Sequence, residues 1–202
     1  MKVLIASSNM GKVAIYGEVL KEMGLEYISL RDLDINTYPE ENGKDTRENA
    51  IIKAKFYHEL TGYPIVSNDS GLIIEKLSAE EQPGMFVRRL KGKTCSDKEM
   101  LEYYSKKLEE VGGESDSYFH ISLAVVNEKG EIHCKDFKSY RYMVSKPCET
   151  IIKGLPLRSL DYDKKSGKYM AEMTIAEANA FEGDCIKQQA NFIKSVLKPD
   201  IV

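Results

Sequence analysis

The sequence predicts an α/β fold, with a central mixed, twisted β-sheet and helices on its faces. Three observations point there. The chain opens as a strand, a glycine-containing turn, a helix and a second strand. A second helical segment, from about residue 46, again feeds an apolar extended run. From Tyr118 the apolar period changes to two, and Glu128-Lys129-Gly130 supplies a hairpin turn.

Lys2 to Ala6 reads as a short buried strand, and Ser7-Ser8-Asn9-Met10-Gly11 as a polar turn in which Asn9 caps the following helix. That helix carries Ile15, Tyr16, Val19, Leu20 and Met23 on one face and stops at Gly24. Tyr27 to Leu30 is the second strand, and residues 31–44 are polar and irregular. Asp45-Thr46-Arg47-Glu48 has capping-box spacing for a helix running to about Leu60. Its inward stripe is Ala50, Ile51, Ala54, Tyr57 and His58, and Lys53 flanks that stripe. Tyr63 to Ser67 is a strand, Asn68-Asp69-Ser70-Gly71 a turn at its end, and Leu72 to Glu75 continue extended. Residues 97–110 form an amphipathic helix ending at Gly112-Gly113. The strand after Tyr118 returns from about Ile132 to Val144. Residues 145–170 are irregular, broken by Pro147, Gly154, Pro156 and Gly167. Two short helices close the chain, the last with Ile186, Ala190, Ile193 and Leu197 on one face.

At 202 residues, one large domain or two tightly joined lobes fits better than two independent domains. The net charge of −3 offers no basic field for nucleic acid. No apolar run approaches the roughly 18 residues of a membrane span, and the N-terminus lacks a signal-peptide pattern. Cys95, Cys134, Cys148 and Cys185 form no CxxC pair and only three histidines accompany them, so the expectation is reduced thiols in a cytoplasmic protein.

Four polar clusters fall at strand ends or helix starts: Ser7–Lys12, Pro39–Gly43, Glu48–Lys53 and Asn68–Gly71. In α/β sheets ligands gather at such places. Ser7, Ser8 and Asn9, with the amides of Gly11 and Lys12, would make an anion-binding turn. Lys12 and Lys53 add cationic donors, and Glu40, Glu41 and Asp69 are hard oxygen ligands of the type Mg²⁺ prefers. Together they are equipment for phosphoryl chemistry.

The order and spacing resemble the ITPase family of nucleoside triphosphate pyrophosphatases acting on non-standard purines. That family's T/S-x-N-x-G-K turn appears as Ser7 to Lys12, its P-E-x-x-G as Pro39-Glu40-Glu41-Asn42-Gly43, and its E-N-A-x-x-K-A as Glu48 to Ala54. Its (D/E)-D-(S/T)-G-L appears as Asn68 to Leu72, and its P-G segment as Pro83 to Arg89. The resemblance implies a single two-lobed domain over 1–202 with a nucleotide cleft, typically homodimeric. It implies Mg²⁺-dependent cleavage of a (deoxy)nucleoside triphosphate to monophosphate and pyrophosphate. Asp69 would be metal ligand and general base. Glu40 would be the second ligand, with Glu41 the less favoured choice. Ser7, Asn9, Lys12, Lys53 and Ser70 would hold phosphates, with Arg88 assisting.

The resemblance weakens at the base-reading motifs. Asn68 stands where the family usually has an acid. The F-G-(Y/W)-D-P segment reads Lys153-Gly154-Leu155-Pro156-Leu157, and S-H-R reads Glu182-Gly183-Asp184. Lys153, Gly154 and Asp184 therefore mark a base pocket of altered preference, in which Asp184 could accept from an exocyclic amine. The alternative reading is a catalytically weak or inactive nucleotide-binding protein of the same fold.

Overall fold

The computed structural model describes residues 1–90 and 92–198. In chain order its elements are β1 (Lys2–Ile5), α1 (Met10–Glu22), β2 (Glu26–Ser29), α2 (Thr46–Thr61), β3 (Ile65–Ile74), β4 (Arg89–Leu90), β5 (Lys93–Thr94), α3 (Asp97–Glu110), β6 (Glu114–Val126), β7 (Ile132–Val144), β8 (Tyr162–Asp163), β9 (Lys168–Tyr169) and α4 (Ile175–Leu197). The chain divides into two compact units. The first comprises Met1–Ser70, Ile121–Phe137 and Cys185–Val202, and the second Gly71–His120 and Lys138–Asp184.

The first unit is organised on a sheet of order β2-β1-β3-β6-β7. β1 runs parallel to β2 (Val3 opposite Tyr27) and to β3 (Leu4 opposite Ile65). β6 and β7 are neighbours joined by a tight turn, in which the Gly130 amide donates to Asn127 O at 3.0 Å. A connection this short joins only antiparallel strands, so the sheet is mixed, as the sequence predicts. Alternation along β1 sends Val3 and Ile5 to one face, with Tyr16, Val19 and Leu20 of α1 and Ile193, Val196 and Leu197 of α4. Leu4 and Ala6 go to the other face, with Ala50, Ala54 and Tyr57 of α2. Burying each large aliphatic side chain is worth about 1.5–3 kcal/mol, so helices on both faces follow from a strand apolar at each position from Val3 to Ile5.

Caps fix where the helices begin. Asn9 accepts from the Gly11 amide at the start of α1, and Asp45 from the Glu48 amide at the start of α2. The predicted box at α2 forms by half, because the Glu48 carboxylate reaches the Lys44 amide at 2.9 Å.

The second unit has its own core, built from Leu72, Ile74, Met100, Leu101, Tyr104, Leu108, Met143, Leu157 and Leu160. α3 opens with a complete capping box between Ser96 and Glu99. Among the described residues no helix is long and apolar enough to cross a membrane.

Two sequence expectations are corrected. Asn68-Asp69-Ser70-Gly71 is not a turn but the middle of the ten-residue strand β3. Gly71 serves a close approach instead: a Cβ there would lie 2.8 Å from Gly84 O. The flanking Leu72 amide donates to that oxygen at 2.9 Å. The C-terminal segment is one 23-residue helix rather than two. Gly183 sits inside it without breaking it, since an interior glycine costs only about 1 kcal/mol.

Candidate active site

A cleft with about 560 Å³ of open space lies in the first unit, past the end of β1 and against the middle of β3. Its wall includes Ser7, Ser8, Asn9 and Lys12 from the turn into α1, Pro39 and Glu41 from the irregular loop, Lys53 and Tyr57 from α2, and Asn68 and Asp69 from β3. All four predicted polar clusters thus reach one wall, the Glu48–Lys53 cluster by Lys53 alone.

α2 organises the acidic side. It holds the loop 36–44 at three points. Tyr57 donates through its hydroxyl to Thr37 O at 3.1 Å, Asn49 accepts from the Gly43 amide at 2.9 Å, and Glu48 accepts from the Lys44 amide. Gly43 allows the middle contact, for a Cβ there would come within 2.7 Å of the Asn49 side-chain oxygen. The other end of the same amide, Asn49 Nδ2, donates to Asp69 Oδ2 at 3.4 Å. Lys53, one turn further along α2, places Nζ 3.3 Å from Glu41 Oε2 and 3.3 Å from Asp69 Oδ1.

The basic side is just as constrained. Burial, reinforced by the neighbouring charge of Lys53, pulls the Lys12 ammonium down to about 8, with Asp69 and Glu41 opposing the shift. A second cation crowded near the first and short of water is poised to gain from an incoming anion. Asn68 is buried and its Oδ1 has no hydrogen-bond partner. A buried, unsatisfied acceptor is costly, and its position on the cleft wall points to a cation or donor.

The geometry sorts the sequence-predicted residues. Ser7, Ser8, Asn9, Lys12, Lys53 and Asp69 meet at the cleft. Glu41 lines it, while Glu40, the carboxylate the sequence favours, is exposed and not on the wall. Gly11 is also off the wall, and its amide is taken by the Asn9 cap at 2.9 Å. Ser70 follows Asp69 on β3 and is half-buried, but is not on the wall.

The remaining predicted residues belong to the second unit. Arg88 bonds Asp97 Oδ1 at 2.7 Å and Gly154 O at 3.3 Å, while Gly154 N donates to Asp97 Oδ2 at 2.8 Å. Arg88 is thereby knitted to the first turn of α3. Lys153 and Asp184 are exposed.

Two features carry no role in the sequence reading. Asn49 lies within a recognised motif, yet only the fold reveals that it bridges Gly43 and Asp69. The other is a buried cluster in the second unit, in which Arg141 pairs with Glu182 and lies 3.5 Å from Asp161, and Arg158 reaches Glu182 at 3.1 Å. A signal for it exists: Phe137, Ser139, Arg141 and Met143 alternate on one buried face of β7, and a buried arginine demands carboxylates.

Residues 3–183 match the Ham1 family. The chain belongs to the Ham1 family. A relative in Halalkalibacterium halodurans, named dITP/XTP pyrophosphatase, is 30% identical over 177 residues, covering 87% of this chain and 89% of the relative. A Ham1 protein from Coxiella burnetii superposes with a TM-score of 0.75 at 27% identity, covering 96% of this chain and 99% of that one. The structure described as nucleoside-triphosphatase / dITP/XTP pyrophosphatase from Mycobacterium abscessus gives 0.64 at 25% identity, covering 98% and 100%. The Ham1 fold is thus matched along nearly the whole chain, both units included.

Proposed function

We propose that this Ham1 protein hydrolyses nucleoside triphosphates at the α–β anhydride bond, releasing a monophosphate and pyrophosphate, with Mg²⁺ as its metal. The observation carrying this reading is the placement of Lys53 between Asp69 and Glu41, on the same wall as Lys12 and the Ser7–Asn9 turn. Paired carboxylates facing paired ammonium groups suit a polyphosphate and its cation.

The residues fit a hard divalent ion. Glu41 and Asp69 supply carboxylate oxygens on the cleft wall, the oxygen donors such an ion prefers. When bound, the ion neutralises phosphate charge and lowers the pKa of water. The chain's own groups do the rest. Ser7, Ser8 and Asn9 orient the phosphates at the start of α1, where the helix dipole favours anions. Lys12 and Lys53 offset the charge that builds on the departing pyrophosphate. Asp69 takes the proton of the attacking water, and Asn49 holds its carboxylate in line.

For the base, the relatives' names make dITP and XTP the first candidates. Lys153, Pro156 and Asp184 depart from the family pattern, and we read them as shifting that preference. The test is turnover across a panel of standard and non-standard triphosphates, with Mg²⁺ and with chelator. Release of pyrophosphate from some member, abolished by chelator, supports the reading. Tight triphosphate binding with no turnover would favour the nucleotide-binding alternative.

A further inference from the structure

The most informative geometry in the cleft is the single ammonium shared by two carboxylates. Lys53 comes from α2, Glu41 from the loop and Asp69 from β3, so three separate segments converge on one charge. The Lys53 and Asp69 side chains are only 13% and 15% exposed. A carboxylate as far from water as Asp69 requires a compensating cation.

Among the described residues, no group of three or more His, Cys, Asp or Glu side chains is arranged to hold a metal by itself. Two carboxylates are a sparse set for Mg²⁺, which keeps several waters and takes further oxygens from substrate phosphates. The charges already balance without it, Lys12 and Lys53 against Glu41 and Asp69. A dication arriving alone would leave the half-buried cleft positive and would have to displace an ammonium. A triphosphate changes both terms, for it brings compensating charge and an alternative partner for Lys53.

Building on the metal-dependent reading above, we propose that Lys53 holds the cation position between Glu41 and Asp69 until a triphosphate draws it away, so that the divalent ion enters with the nucleotide and not before it. Lys53 thus has two successive partners, the carboxylate pair in the free protein and the phosphates in the complex. The free protein is kept from loading with metal alone. Reciprocity follows, since the nucleotide must tighten the metal by the same factor as the metal tightens the nucleotide.

The test is Mn²⁺ binding, read by electron paramagnetic resonance and calorimetry. It uses the wild type, Lys53→Met and Lys53→Arg, each with and without the α,β-methylene analogue of inosine triphosphate. Circular dichroism verifies the fold. In the wild type, Mn²⁺ alone should bind weakly and tighten at least about tenfold with the analogue. Lys53→Met should bind Mn²⁺ alone at least about tenfold more tightly than the wild type, and Lys53→Arg should stay wild-type-like. Equal or weaker binding of Mn²⁺ alone by a folded Lys53→Met, with the analogue still recruiting Mn²⁺ to the wild type, would overturn this proposal and leave the pyrophosphatase reading intact. If Lys53→Met does not fold, the wild type decides: equal Mn²⁺ affinity with and without the analogue overturns the proposal. Failure of Mn²⁺ to bind at all, even with the analogue, overturns the metal-dependent reading and this proposal with it.

Discussion

Lys53 Nζ stands 3.3 Å from Asp69 Oδ1, with both side chains largely shielded from water. That contact joins a helix to a strand at the cleft wall and holds the Asp69 carboxylate beside a cation. Asp69→Asn keeps the size and removes the charge. It should lower pyrophosphate release by about 10³-fold or more, a loss of about 4 kcal/mol of transition-state stabilisation, with unchanged circular dichroism. Steady-state kinetics on the best panel substrate measures it.

The acidic pair separates two expectations. The sequence favours Glu40 as the second oxygen ligand, whereas Glu41 is the one on the cleft wall and paired with Lys53. Glu41→Gln should raise the Mg²⁺ concentration for half-maximal activity by about tenfold, and Glu40→Gln by much less. A Mg²⁺ titration of both variants ranks them, and the reverse order would return the role to Glu40.

Asn49 tethers Gly43 and Asp69 at once. Asn49→Ala should lower kcat about 10- to 100-fold with a smaller effect on KM, because it frees the orientation of Asp69. It should also destabilise the protein by about 1–3 kcal/mol, because the Gly43 amide loses its acceptor. Urea unfolding alongside kinetics distinguishes the two effects.

The second unit offers a pH test independent of the cleft. Burial pushes the Asp161 carboxyl up to about 7, with Glu182 adding to the shift and Arg141 and Arg158 opposing it. The folded state therefore holds this proton more tightly than the unfolded chain. The associated stability is fully present below about pH 4 and is lost as pH rises through 7. Between pH 5 and 8, Asp161→Asn should gain about 2–3 kcal/mol relative to the wild type, measured by urea unfolding at each pH.

Much of the fold was legible because local signals agreed with the tertiary structure. Asn9 and Asp45 cap the helices they were expected to cap, and the Asn127–Glu131 turn joins the strands of period two. At Asn68–Gly71 the structure has a strand in place of the expected turn. Gly71 belongs to a strand because Gly84, distant in sequence, presses against it, and no local pattern encodes that contact. Gly183 is tolerated within α4 because a long helix can absorb one weak residue. At the site, residue types and order singled out the Ser7–Lys12 turn, Lys53 and Asp69, which meet at one cleft wall. The choice between Glu40 and Glu41 was not encoded, since adjacent residues in an irregular loop have no period to orient them. Asn49 stayed hidden because its role depends on two partners brought together only by folding.

The most direct test of the central claim is product analysis by phosphorus NMR of a reaction containing the wild-type protein, Mg²⁺ and dITP or XTP. Nucleoside monophosphate and pyrophosphate should appear in equal amounts, with no diphosphate intermediate. Stepwise formation of nucleoside diphosphate and orthophosphate, or no product from any triphosphate on the panel, would contradict it.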